Sequence, residues 1–520
     1  MCAEGGMMRG ERTAGVAVDR GTRHGVAVPH GRRSYAVVLG VVAAMLAVGL
    51  AVPLTFGDPV NELATGGSTT NTTSRVATTI GSTAPGATTG VAEPGSTPAS
   101  TGAGGTFDSG TVTAGGSQGA PPGVTLVASD VGVTETTIDV GAILLDVGAL
   151  QPLGIGLGNW EVENQRRFFQ TFVDDINRRG GVQGRQVRLV FSTANVLDQS
   201  TYRASCLAVT VDHPTFMVMG SGDAICLTQE HHTPAVGGGT LRETFVNSGY
   251  YYMSPSSTTE RLAKNWAAQM ASAGLLQGHK IGIVSGDLPD VRLPADELQS
   301  TLEQLGAPVT YRSKLSSDSS TAQSQVPLEV PKMRNAGVDT VFFVLDPITA
   351  INWVNQAQGQ GWRPQYMTSD VAGLTQNGFM KNMPAGFDGA LAVTQIHQGY
   401  YDGELSEPEP AEEAACRQLY NQANPGSKQF QWGEEGPLPV ICAEVQIFER
   451  GMAAAGPNPT RDSFVAGIQS LGPFPSPMGY GGSFGPSKTD FMDVIRPLRW
   501  AYDCRCYRLD GPPVQGQYAQ

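Results

Sequence analysis

The rhythm of apolar and polar positions changes twice along the 520 residues. Tyr35 to Phe56 runs without a charge as YAVVLGVVAAMLAVGLAVPLTF. About 20 apolar residues suffice to span a hydrocarbon core, so this run predicts a membrane-crossing helix. Residues 57–123 then carry few apolar positions and no period. From Val124 onward, short β-branched runs alternate with amphipathic stretches. Strands are predicted at Thr137–Leu145, Gln186–Ser192, Phe216–Gly220 and Pro234–Gly237, with helices at Asn159–Arg179 and Ser200–Asp212. The alternation resumes with strands Lys280–Ser285, Pro308–Arg312, Thr340–Leu345 and Gln365–Thr368, separated by helices Leu293–Leu305, Ala322–Asn335 and Ile348–Gln360. Strand–helix alternation at this spacing builds βαβ units and parallel sheets. Two such blocks lie in series. Helices Ala411–Asn424, Pro439–Ala455 and Thr460–Leu471 follow, then short strands over Gly481–Tyr507.

Composition refines the first part of the chain. Residues 1–33 are rich in Gly and Arg and end in Arg32-Arg33. With the flanking Arg on the N-terminal side of residues 34–56, the expected orientation keeps 1–33 cytoplasmic and exports the rest across a bacterial cell membrane. The run is long and ends in no clear small-x-small cleavage site. An uncleaved signal anchor is therefore preferred over a cleaved signal peptide. Residues 57–123, as in STTNTTSRVATTIGSTAPGATTG, bury too little apolar surface to offset chain entropy and predict a disordered tether.

The formal net charge is −13, all of it equivalent to the balance of residues 124–520. An acidic folded part argues against nucleic acid as a partner, because phosphates call for Lys and Arg. Of the 7 cysteines, Cys2 stands alone and the other six follow the apolar run. An even number on the exported side suits disulfides. No C-x-x-C pair is present, so no metal site is expected. The run Gly154-Ile155-Gly156-Leu157-Gly158 is displaced from its strand and lacks the acid of a dinucleotide fingerprint. No P-loop, nucleophile elbow or H-E-x-x-H occurs, so neither a cofactor nor an enzymatic reaction is expected.

Several segments carry a family resemblance. Ile176-Asn177-Arg178-Arg179-Gly180-Gly181-Val182-Gln183-Gly184-Arg185 resembles an I-N-x-x-G-G-[IV]-x-G-[RK] signature. Phe216–Asp223, Thr233–Thr240, Ile281–Asp287, Asp339–Val344, Gly361–Asp370 and Tyr480–Pro486 resemble its later strands and loops in the same order. The family is that of type I periplasmic solute-binding proteins of the branched-chain amino acid (Leu/Ile/Val-binding) class, the substrate-binding subunits of ABC transporters. The resemblance covers about residues 130–507. The loop Leu288-Pro289-Asp290-Val291 and the Pro- and acid-rich segment Leu405–Pro439 depart from it.

The resemblance implies an α/β fold of two Rossmann-like lobes with parallel sheets, joined by a three-segment hinge. Lobe 1 is expected over 124–256 and 396–474, and lobe 2 over 257–395 and 475–520. Crossings are expected near Ser254–Ser257, Thr394–His397 and Pro473–Pro477. A ligand carboxylate would rest on Ser221, Asp223, Ala224, Gly238, Gly239 and Thr240. The ammonium of an amino acid would meet Asp370, with Asp287 and Asp346 at neighbouring strand ends, and Trp160 would cover an apolar side chain. The competing reading of Asp287 and Asp346 is a helix N-cap. Six cysteines allow fifteen connectivities. On the resembled fold, Cys206 with Cys226, Cys416 with Cys442, and Cys504 with Cys506 are the expected pairs. The function implied is capture of a small polar ligand, an amino acid or a related compound, for an ABC permease. A sensing or scaffolding ectodomain of the cell envelope is the alternative.

Overall fold

The computed structural model describes residues 120, 122–148, 158–196, 198–238, 241–376, 380–397, 409–433 and 436–518. The predicted cytoplasmic tail, the membrane anchor and all but the end of the predicted tether lie outside the described residues. Among those described, no helix is long and apolar enough to cross a membrane.

The first sheet is wholly parallel. It comprises β1 (Thr137–Asp146), β2 (Gln186–Asn195), β3 (Met217–Gly220), β4 (Ala235–Val236) and β5 (Tyr252–Met253), in the order β2-β1-β3-β4-β5. Helix α1 (Val162–Arg178) links β1 to β2, and α2 (Gln199–Leu207) links β2 to β3. A short helix, α3 (Arg242–Ser248), precedes β5. Alternate residues of β1 feed opposite faces, as strand geometry dictates. Val140, Ala142 and Leu144 enter a core with Phe168, Phe169 and Phe172 of α1. Ile143 enters the opposite core with Cys206 and Val209.

The second block begins with α4 (Thr259–Ser272) and continues through β6 (Ile281–Gly286), α5 (Pro289–Gln304), β7 (Val309–Leu315), α6 (Ser319–Asn335), β8 (Thr340–Val344), α7 (Pro347–Gly359), β9 (Gln365–Ser369) and β10 (Leu391–Thr394). Its strands run parallel in the order β10-β9-β8-β6-β7. Strand β8 shows why its sequence, TVFFV, does not alternate. Val341 and Phe343 enter the core beneath α6 and α7, while Phe342 and Val344 enter the one beneath α4 and α5. A parallel strand covered on both faces reads as a continuous apolar run.

The chain then returns. Helices α8 (Ala411–Ala423), α9 (Leu438–Ala455) and α10 (Arg461–Gln469) supply Tyr420, Phe448 and Phe464 to the α1 core of the first sheet. A hairpin of β11 (Phe474–Ser476) and β12 (Gly479–Gly482) follows. The chain finally adds β13 (Val494–Ala501) and β14 (Cys506–Leu509) antiparallel to the β10 edge of the second sheet, and β15 (Val514–Gln515) pairs with β13.

Three segments therefore run between the sheets, but the third is not where the sequence placed it. Residues Pro473–Pro477 belong largely to the β11–β12 hairpin, and Phe484, Phe491 and Met492 still pack in the first core. The chain crosses only at Asp490–Val494, where Ser254 pairs with Asp490 and β13 then begins. Several helices also depart from the predicted bounds, among them α1, which starts at Val162, and α2, which ends at Leu207. Helix α5 starts at Pro289, and α6 starts at Ser319 and carries Pro327 and Pro331 inside it. Proline at N1 costs a helix little, because that position's N–H has no intrahelical partner.

The quoted signature has a local cause. Asn177 grips the start of β2 from α1: its Nδ2 donates to Val187 O (2.8 Å) and its Oδ1 accepts from Val187 N (2.7 Å). Gly181 has φ +79°, and a Cβ there would lie 2.0 Å from Arg185 O. Arg185 is fully buried and donates to Thr134 O (2.6 Å), Val127 O (2.9 Å) and Asn458 Oδ1 (3.0 Å), as well as to Pro457 O. It pins the start of the first lobe to the loop before α10. Disulfides join Cys206 to Cys226, Cys416 to Cys442 and Cys504 to Cys506. His231 lies near the first pair. The bonded sulfurs offer no thiolate, which is the form that ligates a metal.

Candidate ligand-binding site

In open parallel sheets, ligands bind outside the carboxyl ends of the strands. At that edge of the first sheet, β3 and β4 end in tight contact. Gly220 closes β3 at φ +87°, and a Cβ on Gly237 would lie 1.8 Å from its carbonyl oxygen. A Cβ on Gly238 would meet Ser221 Oγ at 2.6 Å. Only glycines let these loops approach so closely. The structure thus brings Ser221 and Gly238 together, half-buried and exposed respectively. Asp223 and Ala224 follow on the same loop. The Asp223 carboxylate accepts from Cys226 N (3.0 Å), so it caps the turn that leads into the disulfide. Gly239 and Thr240 lie outside the described residues.

Trp160 is held by a residue the sequence did not single out. Gln165 is buried on α1 and its Nε2 donates to Trp160 O (2.6 Å) and Leu145 O (2.7 Å), while its Oε1 accepts from Leu145 N (2.9 Å). One amide therefore fixes both ends of the loop after β1.

Beneath the rim lies a second unforeseen residue, Glu444 of α9, only 3 % exposed. Burial pushes its carboxyl well above the usual range. Its Oε2 has no hydrogen-bond partner among the described residues. Beside it, the buried Tyr252 donates its phenol O–H to Gly238 O, and burial, with Glu444 nearby, raises the phenol pKa. Tyr252 thus supports the Gly238 side of the rim. The visible signal was a lone Glu inside the apolar run Val440-Ile441-Cys442-Ala443-Glu444-Val445.

The second sheet presents a hollow at its own carboxyl edge, lined by Leu288, Asp290, Val291, Ser317, Leu345 and Asp346 among others. Asp370, expected to meet an ammonium, and Asp287 and Asp346, at neighbouring strand ends, each accept hydrogen bonds from the protein. Asp287 accepts from Ser317 N (2.8 Å) and from the Ser317 hydroxyl. Asp346 caps α7 by accepting from Thr349 N (2.9 Å). Asp370 accepts from Gln395 N (2.6 Å) and from Thr375 Oγ1, and burial raises its pKa. Its carboxylate anchors the second crossing. Asp290 also lines the hollow, and burial raises its carboxyl as well.

The crossings are stitched side by side. Asp490 Oδ2 accepts from Thr258 N (2.8 Å) and from Arg261 Nε (2.7 Å). Arg261 Nη1 also donates to Asp493 (2.8 Å), and Lys488 Nζ lies 3.1 Å from the same carboxylate oxygen. Gln395 joins the first and second crossings, accepting from Ser257 N at Oε1 (3.3 Å) and from Tyr480 N at its carbonyl (3.2 Å).

Two parallel-rich sheets, joined by three short crossings, form two lobes. Residues 137–493 match the family model described as a periplasmic binding protein, and the chain belongs to that family. Among curated proteins, none matches the sequence. Solved structures share the fold at low identity. A fatty acid ABC transporter substrate-binding protein from Thermomonospora curvata is 16 % identical, covers 77 % of this chain and 98 % of its own, and superposes with a TM-score of 0.54. A solute-binding protein of an ABC transporter from Rhodopseudomonas palustris HaA2, in complex with p-hydroxybenzoic acid, is also 16 % identical, with 74 % and 98 % covered and a TM-score of 0.55. An ABC transporter substrate-binding protein from Desulfitobacterium hafniense, in complex with Leu, is 14 % identical, with 70 % and 97 % covered and a TM-score of 0.51.

Proposed function

We propose that this chain is an extracytoplasmic solute-binding protein, tethered through residues 34–56, that captures a small carboxylate-bearing ligand and delivers it to an ABC permease. The ligand lies between the rim at Ser221–Ala224 and Gly238 and the second-sheet hollow. The observation that carries this reading is the approach of Gly220–Ser221 to Gly237–Gly238 at the carboxyl edge of a parallel sheet. Main-chain N–H groups in a glycine-rich turn suit an anion. The ligand is bound and released unchanged.

An amino acid is the narrower class implied by the sequence. The engagement of Asp370 with Gln395 and Thr375 favours an organic acid that needs no ammonium partner. The similar structures include a fatty acid ABC transporter substrate-binding protein and complexes with p-hydroxybenzoic acid and with Leu.

Thermal unfolding of the full-length protein in detergent, against leucine, 4-hydroxybenzoate, a medium-chain fatty acid and a sugar, tests the reading. A carboxylate at about 100 times its Kd is expected to add about 2.7 kcal/mol of stability. A cooperative unfolding that none of the carboxylates shifts moves the account to an envelope scaffold. A shift with the sugar alone removes the carboxylate from the proposal.

A further inference from the structure

The turn between β13 and β14 closes the smallest of the three disulfide rings. The bonded cysteines lie 20, 26 and 2 residues apart in sequence. A cross-link restrains the unfolded chain more strongly the longer the loop it closes, so Cys504–Cys506 contributes least by this route. The hairpin around it stands on other contacts. Strands β13 and β14 pair from Leu498 with Leu509 to Ala501 with Cys506, and Trp500 and Tyr507 are fully buried in the second-sheet core. The Tyr502 N–H donates to Asp388 Oδ1 (2.9 Å) and the Gly389 N–H to Trp500 O (3.0 Å), which ties the turn to the residues before β10.

Exposure separates this pair from the others. Cys206, Cys226, Cys416 and Cys442 are all buried. Cys506 is buried too, but Cys504 is only half-buried and stands between the exposed Asp503 and Arg505. Disulfide exchange begins when a thiolate reaches one of the two sulfurs, so access decides which bond reacts.

The residue inside the ring adds two further observations. Arg505 has φ +52°, a left-handed backbone that is disfavoured for a bulky side chain. Opening the ring removes one of the restraints that hold it there. Among the described residues, the Arg505 guanidinium has no carboxylate partner, and its Cζ lies 5.6 Å from the centre of the Tyr502 ring. The neighbouring Arg508 and Arg499 are paired with Asp503 (2.8 Å) and Asp510 (2.9 Å). A nearby cation favours the thiolate form. The reduced turn also has partners in place, because Cys504 Sγ lies 3.7 Å from Ala501 O and 3.6 Å from Cys506 O, acceptors that an S–H can use.

We propose that Cys504–Cys506 is a thiol–disulfide exchange site for low-molecular-weight thiols, entered at Cys504 and assisted by Arg505. The thiolate of one small thiol attacks Cys504 Sγ. The S–S bond breaks, its electron pair leaves on Cys506 Sγ, and that thiolate takes up a proton. A second thiolate attacks the small thiol's sulfur in the mixed disulfide, which releases Cys504 as a thiolate to be protonated. The protein gains two electrons and two protons, and two small thiols leave as one disulfide. The reverse sequence closes the ring again. Arg499 pairs with Leu391 at the start of β10, so the turn sits at the amino edge of the second sheet, opposite the hollow. The exchange therefore needs no captured ligand.

The test incubates the full-length protein in detergent with reduced glutathione, alkylates free thiols at intervals and maps them by peptide mass. Alkylation at Cys504 and Cys506 is expected at least about tenfold faster than at the four buried cysteines, with a cooperative melting transition retained. Acid quenching early in the reaction is expected to catch glutathione on Cys504. Arg505→Glu is expected to slow the reduction several-fold at low salt, with the difference narrowing at high salt. Reduction of all three pairs at one rate, or of this pair only as the protein unfolds, overturns the proposal. Glutathione caught on Cys506 alone overturns entry at Cys504, and equal rates for Arg505→Glu and wild type at low salt overturn the role of Arg505. If that variant does not fold, the wild-type map decides whether the exchange site exists.

Discussion

At the residue scale, acids at strand ends differ mainly in what already holds them. Asp370 was the residue expected to meet an ammonium, yet its two oxygens face Thr375 and Gln395. Replacing it with Ala leaves the Gln395 N–H without that acceptor, and an unsatisfied buried donor costs about 1–3 kcal/mol. Asp370→Ala is therefore expected to lower stability by about that amount while 4-hydroxybenzoate still binds. Chemical denaturation and calorimetry on the same sample check both halves. The glycines of the signature behave differently. Gly181→Ala forces a side chain into the left-handed region and against Arg185 O, 2.0 Å away. It is expected to destabilise by more than the roughly 1 kcal/mol of an ordinary glycine replacement, as read from the denaturation midpoint.

At the element scale, the crossings carry a buried charge cluster. Arg261 is 2 % exposed and bridges Asp490 and Asp493. Removing one partner of a buried pair costs about 3–5 kcal/mol, because the other charge stays buried. Arg261→Ala is expected to cost that much and to loosen the crossings. A denaturation curve with an unchanged midpoint would refute the assignment. Lys488 shares the cluster: its pKa is lowered by burial first and by Arg261 next.

The same scale shows what could be read beforehand. Eight of the ten parallel strands, all but β5 and β10, were legible because short β-branched and aromatic runs recur between amphipathic helices. The signature was legible because Asn177, Gly181 and Arg185 act within ten residues of one another. Longer-range facts were not. The third crossing was expected at Pro473–Pro477, which instead form part of the β11–β12 hairpin. Nothing near Asp370 in sequence announces Gln395. Gln165 and Glu444 were not singled out in the sequence, and only the packing of α1 and α9 against the first sheet shows that both are buried there.

At the scale of the whole molecule, the account requires both lobes to hold one ligand. Three short crossings permit closure about a hinge, the usual response of such clamps. In the proposed orientation, the Arg-flanked run at residues 34–56 would leave residues 1–33 in the cytoplasm and the folded part outside it. Protease treatment of intact cells is expected to remove the folded part and spare residues 1–56, and protection of the folded part would reverse that orientation.

The central claim is capture between two edges, and amide hydrogen exchange with and without ligand reads it most directly. With a carboxylate shown to stabilise the protein, protection is expected to rise together at Gly220–Ala224 of the first sheet and at Gly286–Val291 and Ser316–Ser317 of the second. Protection on one edge alone, or spread evenly without either edge, would contradict the clamp.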